Sequence, residues 1–491
     1  MTLYPRSSFL RKTVYFFCIV LILIAVDMIW AQSRRTIHPR YDTTRIVEPT
    51  MPDGSVDYLS AIENYFSRGV TPENNAVPLI FEALGRDALP KTQPVDGITS
   101  RVGMTHLSEK GNYFVTYQEF TKQKTGKAES LDTDATDLPN ARDPIGNPTP
   151  MIRDWLNANE KPLAKIHEAS LRTRFFIPFN GGNRPDMLIS VLLPHLKPLR
   201  DVGRALVLRS RVRLESGDVA GAREDALTIH RLSRLLSQAP TLVERLVAIA
   251  TEYLACDADR SIAESGKMSQ QELRDFAAKL AELPDLQNPT PAIDNGERYI
   301  VLDATQHLAH LSPAEAGRLY HAISDKAEIP PDFLFPFLPI PYEQSMINAN
   351  AWYDGLIAAC RQPTYALRRD ALNRWEKDVI QVSTSTHLGI LSADWGLRVF
   401  MPSLNRFETK WETARAEVRL TRIAILLAAY KQEHNGYPAS LSELSNDLPL
   451  DNFTDHPFLY NRTSSGYTLY SPGPNLIDDQ GGNDDVTVAV K

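Results

Sequence analysis

Three residues whose side chains bind first-row metals recur at helical spacing in the second half of the chain. Asp303, His307 and His310 are separated by four and three positions, so a helix would place all three on one face. Glu297, one or two turns earlier, could add a ligand or act as a general base. This pattern predicts a metal-dependent hydrolase as one possible function. A solvated helix face is the alternative, because an apolar stripe runs beside the polar residues: Val301, Ala304, Leu308 and Leu311.

A second candidate for chemistry is a pair of carboxylates in an otherwise apolar run at 242–255. Glu244 and Glu252 lie two helical turns apart, and paired carboxylates perform acid/base catalysis when burial separates their pKa values. Ion pairing with a neighbouring helix is the structural alternative, and we expect it here. The preceding segment supplies the partners: Arg204, Arg209, Arg211, Arg223, Arg231 and Arg234. These arginines could instead bind an acidic polymer, but the acids between them favour a solvated helix face.

Common catalytic motifs are absent from the 491 residues, including the nucleophile elbow, the P-loop, the dinucleotide fingerprint and the His-Glu-x-x-His zinc motif. The net charge of −7 argues against general nucleic-acid binding, which requires a basic surface. Three cysteines exclude a disulfide-rich secreted class, and Cys256 and Cys360 could form one disulfide or none. The missing motifs exclude the common enzyme classes but do not exclude an enzyme.

The amino terminus carries the most apolar segment of the chain. Residues 13–31 would span about 28 Å as a helix, which is enough to cross a hydrocarbon core. A cleaved signal peptide is the alternative interpretation, and basic residues on both sides leave the orientation open. We interpret 1–31 as a single-pass membrane anchor and the proline-bearing segment 32–57 as a stalk.

The remainder predicts a mainly α protein. Segments 201–216 and 219–237, joined by Gly217-Asp218, predict a helical hairpin, so residues 58–400 are interpreted as an irregular, tetratricopeptide-like α-hairpin array. Residues 125–150 predict a polar surface loop. Residues 329–341 contain five prolines and predict an extended strap over the helices, or a docking patch for a partner.

The spacing of apolar residues stays helical to residue 431 and then changes to that of short strands. A helix at 411–431 is followed by three short segments rich in aromatic and β-branched residues, at 458–461, 467–471 and 485–490. We therefore predict a small α+β module at 401–491.

This module resembles the soluble part of the major pseudopilin of type II secretion systems. The resemblance covers roughly the last 80 residues and rests on motifs that recur in the same order: Ala424 to Tyr430, Gly436-Tyr437-Pro438, Leu441 to Leu444, Asp451, Phe453, Pro457-Phe458, Tyr460, Tyr470 to Asn475 and Gly481 to Asp485. The layout of the whole chain, with its Val70 to Asn75 stretch, resembles uncharacterised membrane-anchored bacterial proteins that carry this tail.

The resemblance implies an extracytoplasmic location, on the periplasmic side, and a calcium ion in the last loop. Its correspondence points to Asn475, Asp484 and Asp485, and oxygen-rich side chains of this kind are what calcium prefers. Asn475 stands where that family usually has aspartate. A solvated acidic turn is the alternative. Assembly into a filament is not expected, because the amino terminus lacks the prepilin-peptidase signal.

These observations predict a membrane-anchored, extracytoplasmic binding or scaffold protein for an unidentified protein partner, since helical arrays offer extended binding surfaces. The hydrolase centred on Asp303, His307 and His310 is the alternative.

Overall fold

A computed structural model describes residues 37–131, 148–312, 314–316, 318–319, 342–385, 394–445 and 447–490. Within these residues the chain is mainly helical and ends in a small antiparallel sheet, which confirms that part of the predicted fold class. The helices in the first part of the chain are α1 (Tyr58–Phe66), α2 (Val77–Leu84), α3 (Val95–Arg101), α4 (Tyr117–Thr125), α5 (Pro150–Ala158) and α6 (Glu160–Ser170).

The centre of the body is formed by four longer helices. They are α7 (Leu196–Ser216), α8 (Val219–Leu236), α9 (Leu242–Glu264) and α10 (Gln270–Glu282). Gly217 ends α7 with a φ of 88°, a conformation that glycine adopts without strain, and the Asp218 side chain caps the start of α8. The predicted hairpin is therefore confirmed, with bounds that differ by a few residues.

The next helices lie between the centre of the body and the carboxy terminus. A short helix, α11 (Thr290–Ala292), continues through one π turn (Ile293–Glu297) into α12 (Arg298–His310), and it is followed by α13 (Tyr342–Cys360), α14 (Tyr365–Ser385) and α15 (Asp394–His434). The predicted helix at 411–431 is thus the second half of a 41-residue helix.

Three strands complete the chain in the order in which they occur: β1 (Leu459–Arg462), β2 (Tyr467–Ser471) and β3 (Val486–Val490). Both pairings are antiparallel, with Tyr467 opposite Arg462 on one side and Val490 on the other. The predicted sheet is confirmed. One face packs on α15 through Leu469 and Val488.

Helix α15 contributes to three hydrophobic cores. Ile425 and Ala429 belong to the core of α2 and α5 to α10, and Phe407 and Trp411 belong to a second core around α12 to α14. Leu420 joins the third core, which is that of the sheet. One element therefore connects the helical body with the carboxy-terminal module.

The predicted membrane anchor needs correction. No helix of the described residues is long and apolar enough to cross a bilayer, because even the apolar helix α9 carries Arg245, Glu252 and Arg260 within its length. The structure therefore contradicts the prediction of a single-pass membrane protein with its body on the periplasmic side. The segment at 13–31 itself lies outside the described residues.

The segment interpreted as a stalk is packed against the body where the structure describes it. Thr43 and Thr44 are buried, and the Asn350 side-chain amide donates to the Thr43 carbonyl at 2.7 Å. Tyr58 donates its hydroxyl to the Thr44 carbonyl at 2.9 Å. Hydrogen bonds from threonine hydroxyls and from Asn350 on α13 thus hold the backbone of this segment, although its sequence shows no periodic pattern.

Other predictions are corrected in detail or fall outside the described residues. Helix α2 begins at Val77, and Asn75 just before it uses its side-chain amide to bond both backbone groups of Phe176. The strap at 329–341 and most of the loop at 125–150 lie outside the described residues. Cys256 and Cys360 are both free and buried, so they do not form a disulfide.

Candidate functional site

A fully buried group of charged side chains lies between α8 and α9. His230, on α8, has its Nδ1 atom 2.7 Å from Glu252 Oε1 and its Nε2 atom 2.8 Å from Asp259 Oδ2. Glu252 and Asp259 lie two turns apart on α9, so they reach the two edges of one imidazole ring. All three side chains are inaccessible to solvent.

Arg234, one turn after His230, completes this group. Its guanidinium donates to both oxygens of Glu252, at 2.8 and 2.9 Å, and to the Pro284 carbonyl at 2.7 Å. This ion pair confirms the expectation that Glu252 pairs with an arginine of the neighbouring helix. Two buried cations and two buried carboxylates then balance, which is the condition under which charges are tolerated in an interior.

The protonation of the group follows from its hydrogen bonds. Where Glu252 and Asp259 are both ionised they only accept, so both nitrogens of His230 then carry protons and the ring is an imidazolium. Burial raises the pKa of Asp259 above its ordinary value, and the adjacent His230 offsets this only in part. Burial alone would lower the pKa of His230, but Glu252 and Asp259 outweigh that effect and raise the pKa to about 9. Burial opposes ionisation of Glu252 as well, and the adjacent Arg234 and His230 hold the pKa of that carboxyl at about 2.

Cys256 lies in the same place, one turn after Glu252. Within the described ranges, one set of three or more His, Cys, Asp or Glu ligand atoms lies within 4.8 Å of one another, and it consists of His230, Glu252 and Cys256. Burial raises the pKa of the Cys256 thiol well above its usual range, so it is a thiol in this environment. We call His230, Arg234, Glu252, Cys256 and Asp259 the buried centre.

A second buried ion pair extends the polar contacts to α15. Arg260, on α9, donates to Glu417 Oε1 at 2.7 Å and to Thr421 Oγ1 at 2.9 Å, and it also bonds Asp257. Burial would lower the pKa of Arg260, but Glu417 and Asp257 raise it above its ordinary value. The charged residues of α9 therefore join it to α8 on one side and to α15 on the other.

Asp303, His307 and His310 are all on α12, as predicted, but the structure does not bring them together into a metal site. Asp303 is half-buried and accepts the backbone N–H of Leu188 at 2.7 Å. His307 is half-buried and His310 is exposed at the end of the helix. Glu297 accepts the backbone N–H of Leu242 at 2.8 Å and thereby caps α9. Asp303 and Glu297 thus serve backbone groups.

Replacing Asp303 with asparagine will make the free energy of unfolding less dependent on pH. Burial raises the pKa of Asp303 to about 6, above the ~3.9 of an exposed aspartate. The folded state therefore holds this proton more tightly, and the stability it contributes is present below pH ~4 and lost as the pH rises through 6. We expect the wild type to lose up to about 3 kcal/mol relative to Asp303→Asn between pH 4 and pH 8.

Urea denaturation of both proteins at these two pH values measures the difference, with the exposed Asp154→Asn as the matched control. The asparagine oxygen can still accept the Leu188 N–H. Equal pH dependence in wild type and Asp303→Asn would contradict the assignment.

Glu244 also has a structural role. It forms a capping box with Thr241 at the start of α9, and its Oε1 lies 3.1 Å from His195 Nε2 in a buried pair. Glu244 and Glu252 therefore face different partners and do not act as a pair.

The acidic loop between β2 and β3 brings two of its three predicted calcium ligands together. Asn475 donates its backbone N–H to Asp484 Oδ2 at 3.1 Å, and its side-chain amide bonds the other oxygen. Asp485 instead accepts the backbone N–H groups of Asp479 and Gly481, at 3.2 and 2.8 Å. Arg369, on α14, donates to the Asn475 carbonyl at 2.7 Å. N–H donors thus occupy both oxygens of Asp484 and Oδ2 of Asp485, whereas Asp485 Oδ1 is buried without a hydrogen-bond partner among the described residues.

Calcium binding by this loop remains a prediction, and Asn475→Asp tests it. The substitution replaces an amide donor beside Asp484 with a carboxylate, which repels Asp484 until a cation lies between them. We expect calcium affinity at least about tenfold higher in Asn475→Asp than in the wild type. Calorimetric titration of the full chain with calcium measures it, with the exposed Asn461→Asp on β1 as the control. Equal affinity in all three proteins would overturn the site.

His230 and Asp259 are the residues that sequence reasoning missed. His230 lies among mixed apolar and polar residues of α8, where a histidine gives no sign of its partners. The sequence of α9 does carry a signal for such a cluster, because Glu252, Cys256 and Asp259 are separated by four and three positions. Asp303, His307 and His310 on α12 have the same spacing. Only the packing of α8 on α9 supplies the fourth side chain.

Comparison of the chain with known protein families, with curated proteins and with solved structures finds no match.

Proposed function

We propose that the protein is a non-enzymatic binding or scaffold protein, in which the helical body holds the carboxy-terminal module in place for a protein partner. The observation that carries this proposal is the sharing of α15 among three hydrophobic cores. A helix that is buried in both parts cannot leave one without disrupting the other.

Polar contacts support the same conclusion. Arg368, on α14, pairs with Glu408 at 2.9 Å and with Glu412, and the Asn452 amide of the module donates to Glu412 at 2.7 Å. Tyr365, on α14, donates its hydroxyl to the Pro474 carbonyl at 3.3 Å. Because these groups are mostly buried, their hydrogen bonds resist exchange with water. The module is thus held at its loops as well as along α15.

The titratable groups also favour binding over catalysis. The buried centre is sealed from solvent, so no substrate reaches it in this conformation. Asp303, His307 and His310 do not converge, and the geometry gives the hydrolase alternative no support. A catalytic group must lie within reach of a substrate atom. The charges of the buried centre instead join α8 to α9.

Site-specific photo-crosslinking in the source cells tests the proposal. A photoreactive residue replaces Ile477 or Leu450, which lie on the module and are 61% and 50% exposed. The control position is Leu171, which follows α6 in the body and is 57% exposed. We expect one discrete adduct, with the same protein, from both module positions and not from Leu171. Absence of an adduct from both module positions would contradict the proposal, as would turnover of a substrate by the purified chain.

A further inference from the structure

We propose that the buried centre is a binding site for a borderline-soft divalent metal such as zinc, with His230, Glu252 and Cys256 as three of its ligands and Asp259 as the residue that orients His230. This inference goes beyond the scaffold function and does not depend on it. It rests on the composition of the cluster, the balance of its charges and an unsatisfied oxygen beside it.

The ligand types match the metal. An imidazole, a thiol and a carboxylate within 4.8 Å of one another combine the three side chains that zinc binds most often, and the thiol disfavours magnesium and calcium. Ligand atoms around a tetrahedral zinc lie about 3.3–3.6 Å apart, given bonds of ~2.0–2.3 Å. The ligand atoms already lie within 4.8 Å of one another, which is close to this spacing.

The arrangement around His230 is that of a metal-bound histidine with its orienting acceptor. Nδ1 faces Glu252, and Nε2 faces Asp259 at 2.8 Å on the opposite edge of the ring. A metal-ligating histidine usually donates its other N–H to a carboxylate, which fixes the ring. Asp259 provides that acceptor, and its second oxygen, Oδ1, is fully buried and has no hydrogen-bond partner among the described residues.

The balance of charges allows one zinc dication to replace two protons in the buried centre. Without metal, the cations His230 and Arg234 balance the carboxylates Glu252 and Asp259, and the thiol is neutral. When zinc binds, the Nδ1 proton and the thiol proton leave to solvent, and the dication replaces them. The sum over zinc, Arg234, one thiolate and two carboxylates is again zero. Two protons for one dication therefore leave the net charge of a sealed interior unchanged, which avoids the cost of a buried unbalanced charge.

Zinc content of the full chain tests the site. Because the centre is sealed, the metal is supplied during expression or refolding, and unbound zinc is removed by gel filtration before metal analysis. We expect about one zinc per chain in the wild type and in Cys360→Ala, whose cysteine is also buried and free but lies elsewhere. We expect Cys256→Ala to retain less than a tenth of that amount.

Cobalt(II) provides a second readout on the wild type, so the test does not depend on a variant that folds. A cobalt–thiolate charge-transfer band that is present in the wild type and Cys360→Ala, and absent in Cys256→Ser, supports the site. A wild type refolded with zinc or cobalt that keeps neither metal would overturn it, and so would equal zinc retention by folded Cys256→Ala.

Discussion

Replacing Arg234 with methionine will lower the free energy of unfolding by about 3–5 kcal/mol, measured in EDTA. Methionine keeps much of the apolar stem but removes the cation that Glu252 contacts through both oxygens. Glu252 and Asp259 then share only the charge of His230, and one buried carboxylate stays uncompensated. The loss of a single partner from a buried ion pair costs more than the pair itself contributes, because desolvation of the other partner is no longer offset.

Arg231 provides a matched control on the same helix. It pairs with Glu224 at 2.6 Å, but both side chains are partly exposed, so water can replace the lost contact. We expect Arg231→Met to change stability by less than about 1 kcal/mol. Guanidinium denaturation followed by circular dichroism measures all three proteins. Equal losses of stability in the two variants would contradict the claim that the buried centre stabilises the packing of α8 on α9.

Replacing Leu420 with alanine will lower the free energy of unfolding by about 2–5 kcal/mol. Leu420 is fully buried in the core between α15 and the sheet, with Leu469 and Val488 in the same core. Truncation removes apolar contacts and leaves a cavity that a helix and a three-stranded sheet cannot easily close. Because α15 also packs in the body, we expect the loss to appear in the unfolding of the whole chain.

Leu450→Ala is the control for this variant. Leu450 belongs to the same module but is 50% exposed, so its truncation creates no cavity, and we expect a change within about 0.5 kcal/mol. Tryptophan fluorescence reports on the body through Trp155, Trp352 and Trp375, and far-ultraviolet dichroism reports on the helices. An effect of Leu420→Ala on the sheet alone, with the body unchanged, would show that the two parts unfold independently.

Features set by neighbouring residues could be predicted from the sequence. The Gly217-Asp218 turn between α7 and α8 and the three strands all depend on contacts within a few positions. The φ of Gly217 and the reach of Asp218 are properties of the residue types themselves. The structure accordingly confirms these elements, with shifts of a few residues at their ends.

Features set by distant residues could not be predicted. Thr43 meets Asn350 across more than 300 positions, so a segment without periodicity was interpreted as a stalk although it is packed. His230 acquires its role only when α8 lies on α9, and Asp303 finds its partner in a turn near Leu188. Helical spacing shows which side chains share a face, but it does not show what that face contacts.

Differential scanning calorimetry of the wild type and Leu420→Ala is the most direct test of the central claim, which is that α15 makes the body and the module one cooperative unit. We expect a single transition in the wild type and a shift of that whole transition in Leu420→Ala. Two resolved transitions, with only the smaller one shifted by Leu420→Ala, would contradict the claim, because the module would then be an independent domain.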